Sequence, residues 1–214
     1  MTTPSRPEAR TLLFIGDSIT DCGRREDPQE LGHGYVRLLA EHHAAHEPTA
    51  TVINRGIGGH KVADLVERFG PDCLDLAPDL VTIFVGVNDS WHRYTRGEHV
   101  GEEAFEQDYR RLLDQLAAAA PTAPVVLVIP FVADVDEEQA RIHADLDGKV
   151  AIIRRLAGAY GHRLVDLEAM LAHALAVGHT PASIAEDGVH PTPAGHRLIS
   201  DAWLDVVGRA PATA

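Results

Sequence analysis

Apolar residues follow two alternating patterns along this chain. Short unbroken runs stand at Thr11–Ile15, Ala50–Ile53, Leu80–Val85, Val125–Ile129 and Arg163–Val165. They are rich in Val, Ile and Leu and lack the polar alternation of a half-exposed strand. Strands covered on both faces read this way, because neither face meets water. Between the runs, Gly34–His46, Val62–Phe69, Glu102–Ala119 and Glu137–Tyr160 repeat apolar residues at helical spacing. A last helix is expected after Thr192, with Thr192 as N-cap and Pro193 at its first position, running to about Val207.

Strands alternating with helices predict a parallel sheet with helices on both faces. Residues 1–10 read as a flexible arm and 11–210 as one domain. The chain of 214 residues is long enough for one sizeable core. The stretch AAAAPTAP at 117–124 is too short to separate two domains.

Composition narrows the function classes. The formal net charge of -13 repels nucleic acid and anionic membrane surfaces, so neither is expected as a partner. The polar start, MTTPSRPEAR, has no apolar leader core, and no downstream run approaches the length of a membrane span. The expected location is the cytoplasm. Cys22 and Cys73 cannot build a disulfide framework and are read as two reduced thiols. His42 and His46 lie four apart, but no third ligand completes a zinc pattern there, and no metal or other cofactor is expected.

An open parallel sheet places its ligand outside the carboxyl ends of its strands. Four segments with chemistry lie at such positions or beside them. Gly16-Asp17-Ser18-Ile19-Thr20 follows the first strand, where a serine beyond a tight turn stands exposed; the same residues also suit a helix cap. Asn54-Arg55-Gly56-Ile57-Gly58-Gly59 follows the second, and its glycines let backbone N–H groups approach a ligand. Gly86-Val87-Asn88-Asp89 follows the third, where an Asn amide can donate to a developing oxyanion. Asp187-Gly188-Val189-His190 precedes the last helix, and an Asp three residues before a His can orient its imidazole. Together they supply nucleophile, base, orienter and anion donors.

These four segments, in this order, resemble the sequence blocks of the SGNH hydrolase superfamily, also called the GDSL family. The resemblance implies a three-layer α/β/α sandwich with a five-stranded parallel sheet, the flavodoxin-like SGNH hydrolase fold. It implies Ser18 as nucleophile, with Asp187 and His190 completing the triad. The oxyanion hole would be formed by Ser18, Gly59 and Asn88. Stretches such as HGYVRLLAEH and HPTPAGHRLI are similar to small bacterial carbohydrate-esterase-like members. The expected activity is therefore hydrolysis of short acyl esters, acetyl first, on a small-molecule substrate, with acetylated sugars the first candidates by resemblance. One departure follows Gly59, where the family commonly has Asp or Asn and then Thr and this chain has His60-Lys61. Asp17, His60 and Trp91 are expected on the substrate side, and His92 and Tyr94 follow Trp91 closely.

Thioesterases, lysophospholipases and acyltransferases of this superfamily share the same machinery. A non-catalytic relative and a flavodoxin-like signalling domain built on Asp17, Asp21 and Asp89 are the rivals from other classes.

Overall fold

The computed structural model describes residues 10–120 and 122–208. Apart from Arg10, the arm expected at 1–10 lies outside the described residues. The five strands are β1 (Thr11–Gly16), β2 (Thr51–Gly56), β3 (Leu80–Phe84), β4 (Val125–Ile129) and β5 (Arg163–Asp166). They pair in parallel in the order β2-β1-β3-β4-β5. Every residue of β3 and β4 is buried, while the outer strands β2 and β5 are mixed. That gradient explains the unbroken apolar runs: the inner strands have helices over both faces.

The helices are α1 (Ser18–Asp21), α2 (Tyr35–His46), α3 (Val62–Asp72), α4 (Val87–Thr95), α5 (Glu102–Ala119), α6 (Glu137–Tyr160), α7 (Leu167–Ala176), α8 (Pro181–Ile184) and α9 (Pro193–Gly208). On one face α2 packs against α9; on the other α3 packs on α5 and α5 on α6. Right-handed crossovers require this division, because the chain steps from β1 to β2 and then back past β1 to β3. The reversal lies between β1 and β3, so the crevice opens at their carboxyl ends. This is the expected SGNH hydrolase fold.

The expected bounds of α5 and α6 agree with the structure, as does the start of α9. Thr192 Oγ1 accepts the Gly195 N–H at 3.2 Å, as its role of N-cap requires. Two longer helices escaped the pattern. The inner face of α4 is largely polar, with Asn88, Asp89, Ser90 and His92 buried, so no apolar stripe marks it in the sequence. In α7 apolar residues surround the axis, which blurs the period.

Trp203 of α9 fastens the C-terminal part to the sheet. Its Nε1 donates to Thr82 Oγ1 at 3.0 Å, and its ring lies 5.4 Å from that of Phe14. The loop that precedes α9 is thereby held over the ends of β1 and β3.

Candidate active site

The turn after β1 is tight for a steric reason. A Cβ on Gly16 would stand 2.1 Å from the Phe84 carbonyl oxygen and 2.5 Å from Thr20 Oγ1, so only glycine lets α1 close down on the strand end. Asp17 caps α1, its Oδ1 accepting the Ile19 N–H at 3.0 Å. Ser18 is the first residue of α1 and is half-buried.

The loop before α9 folds back on itself. Asp187 Oδ1 accepts the N–H groups of Val189 at 2.9 Å and His190 at 2.7 Å. Its Oδ2 lies 2.7 Å from His190 Nδ1, and His190 Nε2 lies 3.0 Å from Ser18 Oγ. An ionised carboxylate only accepts, so the proton sits on Nδ1 and Nε2 is free to accept from the serine hydroxyl. Partial burial works against the Asp187 charge, but the bonds from His190 and Val189 outweigh it and hold the carboxyl below its usual range. Gln139 of α6 braces the loop from outside, donating to the Asp187 carbonyl at 3.0 Å.

On the opposite side of Ser18 lies the glycine loop after β2. A Cβ on Gly58 would stand 3.9 Å from Ser18 Cβ. The backbone N–H groups of Ser18 and Gly59 meet no acceptor among the described residues. Asn88 Nδ2 donates one hydrogen to the His60 carbonyl at 3.0 Å, which leaves its second N–H uncommitted.

The three residues expected on the substrate side part company. Trp91 stands against His190, ring centroids 5.2 Å apart. Asp17 is fully buried and turned inward as the cap of α1, so its carboxylate does not face the crevice. Burial pushes it up to about 7, against the Ile19 bond and the nearby His190. The His60 ring is directed to Arg68, whose Nε donates to its Nδ1 at 3.1 Å. Burial and the Arg68 charge both hold the His60 pKa down. Lys61 is tied to Glu98 at 2.6 Å. Of the two residues after Trp91, His92 is buried and Tyr94 donates to the Arg141 carbonyl on α6 at 3.2 Å.

Asp89 also points inward, accepting the Val62 N–H at 3.2 Å, and burial pushes it up to about 7. Both cysteines are free thiols. The rings of His42 and His46 stack at 4.3 Å, with His46 Nδ1 bonded to the His42 carbonyl. The grouping of metal-type side chains among the described residues is His143, Asp147 and Glu168, on α6 and α7, and it includes none of Ser18, Asp187 and His190. No helix among the described residues is long and apolar enough to cross a membrane.

Two contributors had no signal in the sequence. Gln139 reads as one more polar residue on a helix surface. Arg68 reads as an ordinary helical arginine.

Similarity to known proteins points the same way as this geometry. Residues 14–198 match the GDSL-like Lipase/Acylhydrolase family. An acetylxylan esterase of Geobacillus stearothermophilus is 34% identical, over 92% of this chain and 93% of its own. The crystal structure of such an enzyme from that organism superposes with a TM-score of 0.84 at 31% identity, covering 96% of this chain and 97% of the other. An α/β-hydrolase enzyme from the metagenome of Lake Arreo gives a TM-score of 0.83 at 33% identity, over 93% and 95% of the two chains. The chain therefore belongs to the GDSL-like lipase/acylhydrolase family and is a serine hydrolase acting on ester bonds.

Proposed function

We propose that the chain removes short acyl groups, acetyl above all, from carbohydrate esters through an acyl-enzyme on Ser18. The observation that carries this reading is the unbroken relay Asp187–His190–Ser18, with its two contacts of 2.7 and 3.0 Å. Ser18 Oγ attacks the ester carbonyl while His190 Nε2 takes its proton. Asp187 fixes the tautomer and stabilises the imidazolium. The oxyanion is held by the N–H groups of Ser18 and Gly59 and by the free N–H of Asn88. His190 then gives its proton to the leaving sugar oxygen, which departs as the free hydroxyl, and water repeats the sequence on the acyl-enzyme.

The acyl preference is supported by the cavities. The one that His190 lines, about 370 Å³, is open to solvent and walled by Glu186, Asp187, Pro191, Thr192 and Pro193, with Ser18 outside its lining. A more apolar cavity of about 510 Å³ lies between α7 and α9, and neither Ser18 nor His190 lines it. A long acyl chain gains nothing from it. The carbohydrate side is supported by the resemblance to the Geobacillus acetylxylan esterase. The net charge of -13 disfavours polyanionic substrates.

The test is a panel of p-nitrophenyl acetate, p-nitrophenyl octanoate, acetyl-CoA and acetylated xylo-oligosaccharides, with Ser18→Ala as control. Acetyl esters and acetylated sugars should be turned over and the control should be inactive. Wild-type rates in Ser18→Ala would end the nucleophile assignment; a clear octanoyl advantage would end the acyl assignment.

A further inference from the structure

Arg68 lies on α3, outside the four motifs. Its Nη2 donates to the Gly16 carbonyl at 2.9 Å, and its Nη1 to the Arg55 carbonyl at 2.8 Å and the Asp72 carboxylate at 2.8 Å. Its Nε donates to His60 Nδ1 at 3.1 Å. Gly16 ends β1 two residues before Ser18, Arg55 lies at the end of β2, and His60 directly follows Gly59. The His60 carbonyl in turn accepts from Asn88. One guanidinium thus touches, directly or through a single residue, every segment that bears an oxyanion donor. Its side chain is only 12% exposed, so water competes little for these bonds.

We propose that Arg68 is a positioning residue for the oxyanion hole, holding Ser18, Gly59 and Asn88 in mutual register while touching no reacting atom, with His60 as its link to Gly59 and Asn88. The inference rests on the oxyanion assignment above. A planar fork suits the task, because the acceptors lie in diverging directions that one ammonium cannot meet together. The ring of His60, one of two residues that depart from the family pattern, acquires a purpose: its Nδ1 is the acceptor that joins the glycine loop to the fork.

The test is a double-mutant cycle on p-nitrophenyl acetate, with folding checked by circular dichroism and melting. Arg68→Met should lower kcat about 100-fold with KM changed by less than about threefold, since ångström-scale misplacement has that effect on rate. In the Asn88→Ala background the same change should cost measurably less than in the parent, because one of the three donors it misplaces is already missing. Arg68→Lys, which keeps the charge facing Asp72, should also lose kcat and carries the test if Arg68→Met does not fold. His60→Ala should lose kcat and His60→Gln should recover part of it, through an amide oxygen that can accept from Arg68. Equal losses in both Asn88 backgrounds, or wild-type kcat in Arg68→Lys, would overturn the inference. Wild-type kcat in Asn88→Ala alone would instead remove the oxyanion reading, and this inference with it.

Discussion

Trp91 meets His190 edge to face, with ring centroids 5.2 Å apart and planes at 63°. An indole so placed limits how far the imidazole can swing away from Ser18. Aromatic pairs of this kind contribute about 0.5–1.5 kcal/mol beyond their buried area. Trp91→Ala is therefore expected to lower kcat/KM on p-nitrophenyl acetate by about 3- to 10-fold, and Trp91→Phe to recover most of it. Steady-state kinetics of the two variants decides; an unchanged Trp91→Ala rate would mean that Asp187 alone sets the ring.

Asp187→Asn isolates the electrostatic part of the relay. The side-chain oxygen can still accept from Val189 and His190 N–H, so the loop keeps its shape. The new amide presents a donor to His190 Nδ1 and forces the proton onto Nε2, where it faces Ser18. The expected loss in kcat is about 10⁴-fold. A variant with intact melting and less than tenfold loss would show that the carboxylate charge is unimportant.

Gly188→Ala tests the backbone between the two polar partners. Gly188 has φ of +81°, and an added Cβ would stand 2.6 Å from the Ala133 carbonyl oxygen. That carbonyl belongs to a segment that is bonded back, Ala133 N–H to Gly188 O at 2.7 Å. We expect a destabilisation of about 1–3 kcal/mol, together with loss of activity as Asp187 and His190 shift. Urea unfolding measures the first and p-nitrophenyl acetate turnover the second. Wild-type values of both would contradict the strained turn.

Asp89→Asn separates burial from charge. Burial raises the Asp89 carboxyl from 3.8 to about 7. The native state then holds a proton that the unfolded chain has released, across the window between those values. The stability this supplies is full below the unfolded pKa and is lost as pH rises through the folded one. Asparagine does not titrate. The stability of the variant relative to the parent should therefore improve by roughly 2 kcal/mol between pH 5 and pH 8. Urea unfolding at the two pH values checks this; a constant difference would mean that Asp89 ionises as freely as in the unfolded chain.

Much of the fold is legible in the chain because burial leaves a period. The inner strands β3 and β4 are buried at every position and apolar at all but Thr82, and α5 and α6 repeat their core residues at helical spacing. Helix α4 broke that rule, since it buries Asn88, Asp89 and Ser90, which bond to the His60 carbonyl, the Val62 N–H and Lys149 instead of joining an apolar core.

By itself the sequence determined which residue types stand at the strand ends and before the last helix, because turns, caps and motif spacing are local. That Ser18 Oγ and His190 Nε2, separated by 172 positions, come within 3.0 Å was decided by the parallel sheet and by Trp203 anchoring α9 across it. The tertiary structure also turned Asp17 inward and gave the His60 ring to Arg68. Side-chain direction depends on what packs overhead, and those neighbours are distant along the chain.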